Sequence, residues 1–577
     1  MASASVLTPR FFRVDQDTHF DYSCTSKKYF VVKPQSGDAA ANMNNGENIT
    51  FSYEGQKKLY RLADPESGFL IKIGYRTRTG ANNDSTSNIT LANNWFGHLF
   101  TTAQFRLGSV TLETINELGT VMDFVNLLKG SEFKNESGED YTWIPDSELG
   151  IAGAFTVADP ADVAVPGAAA QANVTATARA AATAVITVVN TALTNSASSI
   201  RISPAAEVTA AGATAANIAS AANQAATNAI EAVNKIFGKY GIHVKPHIAV
   251  GEPGATAAAD IAASCNAAAT AAVVSINNAF KSSRLNEGFN RRMIKYNYEV
   301  ENNDTHRYIT AFVPLSMIFG CCEQDKLLKS INFEINLTRK QNTAYTEVFY
   351  GGANSGVQFG DPATTGILNM SLRLVEYIPN PKLAAAVNPL FAKPIKWTYR
   401  QRHCILRSSA LDHFDISETK QSVPQFIFVG CKGTTGDSNQ KGAVTRNFNL
   451  FRHCNIQSVT ADLDGESYPN EPQNANFLQN NYSTFYQQFK RACKLLGASE
   501  CSITSTEYKN LYPIFAIDTS NKPMKLRNAV SNMVVKIVRN AVGNDATPTN
   551  PLNVDYYVFT ANEKSYDINC ETGEVRE

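Results

Sequence analysis

The sequence lacks the surplus of positive charge that proteins use to coat nucleic acid. Its 577 residues contain 52 Lys and Arg and 52 Asp and Glu, so the formal net charge is zero. Phosphate contacts come mainly from Lys and Arg, and no run of basic residues supplies them here. The composition therefore argues against electrostatic condensation of a genome and predicts no sequence-specific binding of nucleic acid.

The chain also lacks the patterns of export. Its first residues, MASASVLTPRFF, do not show the charged and then apolar layout of a signal peptide. No stretch approaches eighteen uninterrupted apolar residues, so we expect no transmembrane segment. The N-x-S/T triplets at Asn48, Asn88 and Asn481 are then chance matches. We expect a soluble protein that is intracellular when made and is not secreted.

Cysteines are few and scattered. None of the ten forms a CxxC pair, and Cys321 and Cys322 are adjacent in a way that seldom makes a useful crosslink. Such a pattern is typical of buried free thiols in a reducing compartment.

Catalytic and cofactor motifs are missing as well. The sequence contains no GxSxG, HExxH, P-loop or GxGxxG pattern. His243 and His247 have a spacing seen in metal sites, but Pro246 and the strand-like context prevent a shared helical face. We therefore predict a protein that is not an enzyme, with no catalytic residue, no cofactor and no metal.

Two His-Cys pairs could be mistaken for metal ligands. They are His403–Cys404 and His453–Cys454, and each lies in a predicted strand. Neighbouring residues of a strand point to opposite faces, so packing explains both pairs better than metal binding.

The acidic candidates are weaker. The DLDG sequence at Asp462 resembles the start of a calcium loop but lacks the third carboxylate and the terminal Glu. A β-turn in which Gly465 adopts a positive φ is the better interpretation. Asp15 and Asp17 are equally weak candidates.

What the sequence does contain is strands, in a chain long enough for three or four domains. In the stretch Phe312–Arg339 the apolar residues Ile331, Phe333, Ile335 and Leu337 alternate with polar ones, which predicts a half-buried strand. A short apolar turn precedes it. Similar alternation occurs at 49–53, 69–75 and 103–107, and the 3–4 spacing from Ile115 to Leu128 predicts one helix.

Between residues 151 and 285 the composition becomes Ala-rich and three copies of a unit of about 43 residues appear. Their clearest lines begin at Ala181, Ala225 and Ala268. Each copy is interpreted as a short strand, a Pro/Gly turn and a long helix. The strands are predicted in IRISPAAEV, IHVKPHIAV and, more weakly, FTVADPADV.

The helices of these repeats should pack on one another. The second carries a heptad-like seam (Ile218, Ala222, Ala225, Ala229, Val233 and Ile236), and alanine on a seam allows close approach. The repeated Asn190, Asn234 and Asn277 favour a folded insertion over a low-complexity linker.

Strands resume after Asn286 and continue beyond a boundary near Pro379 and Pro381. The second region contains strands at 425–430, 455–465, 533–538 and 555–559, interrupted by a helix around 477–496. Two strand-rich regions, each with a helix in one connection, predict two similar β-sandwiches in tandem.

Five motifs in order resemble the double jelly-roll major capsid proteins of polintons, polinton-like viruses, adintoviruses and virophages. They are ANNWFGHLFTTAQFRLGSVTLE (92–113), NEGFNRRM (286–293), VPLSMIF with KLLKSINFEINLTR (313–339), TRNFNLFRHCNIQSVTADLDGESYPNEP (445–472) and ITSTEYKNLYPIFAIDTS (503–520). The chain departs from the family pattern in its Ala-rich insertion and in having Asn447–Phe448 where Pro is usual.

The resemblance implies a mainly β chain of two tandem antiparallel eight-stranded jelly rolls. The first would comprise 1–150 and 286–380, the insertion 151–285 and the second jelly roll 381–577. It further implies pseudo-hexameric homotrimers that tile an icosahedral shell around double-stranded DNA in the virion.

The implied partners are neighbouring capsomers, penton proteins and minor or cement capsid proteins. The insertion would form an outward-facing tower or an inter-capsomer contact, and a host receptor is a further candidate partner for it. A β-sandwich carbohydrate-binding module or enzyme with a helical insertion is the alternative, because sandwiches host many functions.

Overall fold

The computed structural model describes the larger part of the chain. The described residues are 24–35, 48–56, 58–79, 82–83, 89–129, 142–146, 157–195, 201–237, 242, 244–281, 286–297, 306–340, 347–351, 355–359, 365–381, 384–385, 388–420, 423–433, 447–496, 498, 501–520, 531–540 and 553–577.

Strands dominate both ends of the chain and helices dominate its middle. The strands are β1 (Cys24–Val32), β2 (Asn48–Tyr53), β3 (Leu59–Arg61), β4 (Gly68–Thr79), β5 (Asn82–Asn83), β6 (Ile89–Leu91), β7 (Phe100–Leu107), β8 (Val110–Asn116), β9 (His306–Pro314), β10 (Leu327–Lys329), β11 (Phe333–Arg339), β12 (Phe349–Gly351), β13 (Ser355–Gln358), β14 (Gly366–Pro379), β15 (Ile395–Ser409), β16 (His413–Lys420), β17 (Phe426–Gly433), β18 (Ile456–Leu463), β19 (Glu466–Tyr468), β20 (Ile514–Asp518), β21 (Ser531–Arg539), β22 (Val554–Ile568) and β23 (Val575–Arg576). The helices are α1 (Trp95–His98), α2 (Leu118–Lys129), α3 (Gln171–Asn195), α4 (Ala215–Phe237), α5 (Ala258–Lys281), α6 (Glu287–Asn297), α7 (Leu315–Ile318), α8 (Ser483–Leu495) and α9 (Ser505–Asn510).

The strands before the Ala-rich region and those directly after it form one sandwich. One sheet contains the path β1-β14-β4-β9, to which β3, β5, β10 and β13 add at the edges, and the other has the order β2-β11-β7-β8. All the pairings are antiparallel. The two sheets meet through apolar side chains such as Phe51 of β2 and Phe69 of β4, whose ring centroids are 5.1 Å apart.

The strands after residue 394 form a second sandwich with the same connectivity. Its sheets have the orders β15-β22-β17-β20 and β16-β21-β18-β19. In each sandwich eight strands make up two four-stranded paths: β1, β2, β4, β7, β8, β9, β11 and β14 in the first, and β15 to β22 in the second. When these eight are numbered one to eight along the chain, both sandwiches show the orders 1-8-3-6 and 2-7-4-5. The expectation of a mainly β chain with several antiparallel sheets is therefore confirmed.

In each sandwich the helices of six or more residues lie in the same connection, between the fifth and the sixth strand. In the first sandwich this connection, from β8 to β9, contains α2, the Ala-rich region and α6, and in the second, from β19 to β20, it contains α8 and α9. The predicted helix starting at Ile115 begins three residues later, at Leu118. Ile115 belongs to β8, because its side chain joins the buried face of that strand.

The stretch Phe312–Arg339 behaves as its alternation predicts. Phe333, Ile335 and Leu337 are buried, and β11 lies between β2 and β7 in the middle of its sheet. The preceding apolar turn is the short helix α7 followed by a 3-10 turn, Gly320–Glu323. On the polar face, Asn336 donates to Glu334 at 3.0 Å.

The Ala-rich residues 157–281, here called the Ala-rich unit, form three packed helices with their own core. The predicted seam of α4 is buried at Ile218, Ala222, Ala225, Ala229 and Val233. Ile236 is only partly buried, and Phe237 instead enters the core, 4.8 Å from the ring of Phe280 in α5.

The predicted strand of each repeat is wrong for the residues that the structure describes. Residues 157–163, 201–208, 242 and 244–250 form neither helix nor strand and belong to no sheet. Their backbone groups bond to helix side chains instead of to a neighbouring strand. The carboxamide of Asn234 donates to the carbonyl of Val244 at 3.0 Å and accepts from its N–H at 2.7 Å.

The other two repeated asparagines do the same. Asn190 clamps Ile202 and Asn277 clamps Val157, each through one donated and one accepted hydrogen bond. Helix α3 thus holds the segment before α4, α4 holds the segment before α5, and α5 holds the segment before α3. The Ala-rich unit is a closed ring of three equivalent repeats.

Two of these helices are long and apolar enough to cross a membrane by length and composition. The windows are Gln171–Leu193 and Ala258–Phe280, of which 44% and 50% are buried inside the protein. The buried halves face the other helices of the Ala-rich unit, as in core helices of many proteins.

Candidate functional site

The histidine candidates from the sequence occupy packing positions. In the part of the chain that the structure describes, no group of three or more His, Cys, Asp or Glu residues could hold a metal ion. His247 lies 3.2 Å from the carboxamide oxygen of Asn223, and His243 lies outside the described residues. His403 is half-buried 3.0 Å from Glu418, while Cys404 is buried, as expected for neighbours on a strand.

The second His-Cys pair is not in a strand, so that prediction is wrong. His453 and Cys454 precede β18 in a tight turn, where Cys454 and Asn455 have φ values of 44° and 52°. His453 is stacked on Phe477 at 4.7 Å, and burial lowers the pKa of His453 to about 3. Its Nδ1 accepts from the N–H of Asn455, so the ring works as a buried neutral acceptor.

The acidic candidates also have structural roles. Asp464 and Gly465, with φ of 54° and 88°, form the two-residue turn between β18 and β19. This is the backbone of a type I′ hairpin, which favours Asp-Gly. Asp462 pairs with Lys536 at 2.5 Å. Asp15 and Asp17 lie outside the described residues.

Eight of the nine cysteines for which the structure describes a side chain are buried and all nine are free thiols; Cys501 is partly exposed. Burial raises the pKa of Cys265 to about 11, so this thiol is inert as a nucleophile.

A cavity of about 600 Å³ lies at one edge of the second sandwich, between β19, α8 and β20. Its carboxylates are occupied: Asp518 pairs with Arg491 at 3.2 Å, and Glu466 accepts from Tyr468 at 2.9 Å. The lining lacks the paired free carboxylates of a glycosidase.

The most elaborate polar construction joins the two sandwiches. Its centre is Asp146, which is 2% exposed. One carboxylate oxygen accepts from Asn286 at 2.7 Å and from Arg292 at 2.8 Å, and the other accepts from Asn447 at 2.8 Å. Asn286 and Arg292 flank or belong to α6, whereas Asn447 precedes the second sandwich's β18. Arg292 is the charged partner of this buried carboxylate, so removing Arg292 would leave a buried charge without its ion-pair partner.

Glycine is required at the centre of this clamp. A Cβ on Gly288 would lie 1.9 Å from the carbonyl oxygen of Pro145. The close approach brings Arg292 within reach of the carbonyl of Leu91, to which it donates at 3.0 Å. The segment NEGFNRRM thus supplies an amide, a contact glycine and a guanidinium to one junction.

A second buried network ties β8 to β15. The Glu113 carboxylate is fully buried and accepts from the backbone N–H groups of Arg402 at 2.7 Å and Cys321 at 3.1 Å. Burial raises the pKa of Glu113 to about 7, although the Arg402 guanidinium and these N–H donors favour the ionised form. Arg402 in turn donates to the carbonyls of Met317 and Ile318, both at 2.7 Å.

Helix α2 completes the junction. Its Asp123 accepts from Asn94 at 2.9 Å and lies 3.1 Å from His98 and 4.0 Å from Lys432 of β17. The next residue, Phe124, packs 5.4 Å from Phe559 of β22. These three networks leave the sandwiches locked to one another, and none presents an open reactive group.

The sequence profile of the double jelly roll-like domain family matches residues 258–550, which is 293 of the 577 residues. The chain belongs to this family. The resemblance inferred from the five motifs is therefore confirmed at the level of the double jelly roll. No curated protein sequence matches the chain significantly.

Solved structures of double jelly-roll capsids are distant relatives in shape. The Sputnik virophage structure is 10% identical, with 100% of this chain and 92% of that chain covered and a TM-score of 0.46. The mavirus major capsid protein is 10% identical, with 100% and 95% covered and a TM-score of 0.43. The Faustovirus major capsid protein is 7% identical, with 96% and 92% covered and a TM-score of 0.42. At these values the likeness alone establishes neither assembly nor function.

The acidic residues at the centre of this double jelly-roll junction were not predicted from the sequence. Asp146, Glu113 and Asp123 belong to no motif pattern of chemistry, and their partners lie up to about 300 residues away in the chain. The available signals were three of the five motifs: 286–293, whose Asn, Gly and Arg all reach the junction, 92–113, which contains Asn94 and Glu113, and 445–472, which contains Asn447.

Proposed function

We propose that this protein is a structural protein, the major capsid protein of a virus whose shell is built from double jelly rolls. The observation that carries the proposal is the duplicated strand order, 1-8-3-6 and 2-7-4-5, in a member of the double jelly roll-like family. On this view each half is an eight-stranded jelly roll, and the buried junction holds the two at a fixed angle so that the pair acts as one building block.

The proposed assembly is a homotrimer. Three chains bring six sandwiches into a pseudo-hexamer, and closed symmetry lets one contact surface be reused around the ring. Such capsomers would tile an icosahedral shell around double-stranded DNA, with penton and minor or cement proteins as partners. The neutral net charge supports a shell protein over a genome condenser.

We further propose the division into 1–150 with 286–380, the insertion 151–285, and 381–577. The Ala-rich unit has a core separate from that of the sandwiches, and its ends are joined by the Val157–Asn277 bonds. Because it sits in one connection of the first sandwich, it suits a tower or an inter-capsomer contact, and a host receptor is a candidate ligand for it.

Mass photometry and negative-stain microscopy of the expressed chain test the assembly. One chain is 62.7 kDa, so three give about 188 kDa, and the expected particles are triangular or hexagonal. A folded monomer at micromolar concentration that never forms particles would refute the proposal. Specific binding on a glycan array by such a monomer would favour the carbohydrate-binding alternative.

Deletion of residues 152–282 tests the insertion separately. Trimers that form normally but lose particle stability or attachment to host cells would support a peripheral role. If the deletion prevents folding of the trimer, the insertion is part of the core.

A further inference from the structure

The outer face of the sheet β1-β14-β4-β9 exposes an unusual number of large apolar side chains. The inner residues Phe69 and Ile71 are buried, so the intervening Leu70 points outward and is 42% exposed. Tyr29, Val31 and Tyr308 lie on the same face and are 55%, 54% and 52% exposed. We call this surface the β1-β14-β4-β9 patch; it also includes the half-buried Phe312, directly opposite Leu70.

Cationic side chains lie close to the aromatic rings of this patch. The Arg373 guanidinium is 4.5 Å from the ring of Phe312 and 5.2 Å from that of Tyr29. The Lys72 ammonium is 5.7 Å from the ring of Tyr308. Exposed aromatic side chains together with arginine are the composition of protein–protein contact centres, and single exposed apolar residues elsewhere on a surface need no such explanation.

The corresponding sheet of the second sandwich, β15-β22-β17-β20, is covered. Every residue from 554 to 562 in β22 is buried, so both faces of that strand are packed, whereas in the equivalent β14 the outer-face residues Ser371 and Arg373 are only half-buried. Tyr556 faces the second sandwich's own core, 5.5 Å from Phe414. Phe559 faces the other way and meets Phe124 of the first sandwich.

One chain therefore contains a single example of a contact that its own repeat architecture allows twice. Among the described residues, a sandwich packs against the outer face of the 1-8-3-6 sheet in the second half, whereas no sandwich packs against it in the first half. We propose that the β1-β14-β4-β9 patch is the contact surface for a second copy of this chain, which covers it with its second sandwich. This inference rests on the proposed capsomer.

The contact joins unlike surfaces and so repeats head to tail. Such a contact closes into a ring when the rotation between copies permits and otherwise continues as an open filament. Alternation of first and second sandwiches, with each sheet face covered by the preceding sandwich, closes after six sandwiches in the proposed trimer.

The test introduces charge into the patch. Tyr308→Asp combined with Leu70→Asp should yield monomers of 62.7 kDa by mass photometry, with the circular dichroism spectrum and melting temperature of the monomer unchanged. The matched control is Ile248→Asp, which introduces a charge at a residue of the Ala-rich unit that is 86% exposed. This variant should still form trimers. Normal assembly of the double variant would refute the proposed contact through the patch but not the proposed trimer. If the unmodified chain is itself a monomer, the trimer proposal is refuted.

A second measurement does not depend on destabilising the contact. Tyr308 replaced by p-benzoylphenylalanine should form an interchain photoadduct whose partner peptides come from residues 395–577 of the neighbouring copy. Adducts only to residues 24–379 would refute the assignment to the second sandwich. Normal assembly of the double Asp variant together with loss of DNA retention would identify the patch as a nucleic-acid surface and overturn the proposal.

Discussion

The asparagine clamps of the Ala-rich unit give the sharpest quantitative prediction, and Asn234 is the best place to test it. Asn234→Ala removes the partner of both backbone groups of Val244, a residue that is 4% exposed. A buried donor or acceptor left without a partner costs about 1–3 kcal/mol. Two such groups, partly relieved by water and by the higher helix propensity of alanine, give about 2–4 kcal/mol for local opening.

Amide hydrogen exchange of the full-length protein measures this opening directly. Because about 1.4 kcal/mol corresponds to a tenfold change in an equilibrium constant, exchange at the Val244 N–H should accelerate roughly 30- to 700-fold. Exchange in the sandwich strands should stay unchanged, since the Ala-rich unit has its own core.

Two further variants control the experiment. Asn234→Asp retains an acceptor but loses the donor, so it should produce an intermediate acceleration. Asn173→Ala alters an exposed asparagine whose carboxamide bonds only locally, to Ala168, and should leave Val244 protected. If the Val244 N–H keeps its full protection from exchange in Asn234→Ala, the Asn234 carboxamide does not hold the segment around Val244. The explanation of the repeated asparagines would then be wrong.

Three other predictions concern the junction. Gly288→Ala should lower the melting temperature by several degrees or prevent folding, because its Cβ meets a backbone carbonyl at 1.9 Å, whereas Gly465→Ala, in an open hairpin turn, should cost only the strain of its positive φ. Glu113→Gln should remove a pH dependence of stability. Because the pKa of Glu113 is raised from 4.5 to about 7 in the folded chain, the free energy of unfolding should fall by up to about 3 kcal/mol as pH rises from 4.5 to 7. Urea unfolding across that pH range should show this fall only when Glu113 is present. Phe124→Ala leaves a cavity beside two aromatic rings and should lower the free energy of unfolding by about 3–5 kcal/mol. Limited proteolysis should then cleave the variant between the sandwiches faster than the unmodified chain. Equal cleavage rates would show that the junction does not depend on this ring.

The alternation of apolar and polar residues predicted most of the strands. In β11 and β4 every second side chain faces the core, so the period of two identified the strands directly. The turn at Asp464–Gly465 was equally readable, because its residues are those that tolerate positive φ. Local chemistry decides such elements, and local chemistry is what a sequence displays.

The predicted strands of the Ala-rich repeats failed for an instructive reason. Segments such as 244–250 have β-branched residues and a proline turn, which favour a strand, but they pair with no neighbouring strand. A segment becomes a β-strand only when its backbone bonds to a neighbouring backbone. Here the backbone groups bond to asparagine side chains instead. The repeated asparagines were visible in the sequence, but their partners depended on how the three helices pack.

By itself the sequence determined the mainly β class, the repeated helices, the absence of recognisable catalytic motifs and the double jelly-roll resemblance, because each follows from periodicity or from motifs read along the chain. Only the tertiary structure decided which polar groups join the sandwiches. Asp146 gains its three partners from positions 140, 146 and 301 residues away. It also decided which sheet face is covered and which is left exposed, since burial is a property of packed neighbours and no single strand encodes it.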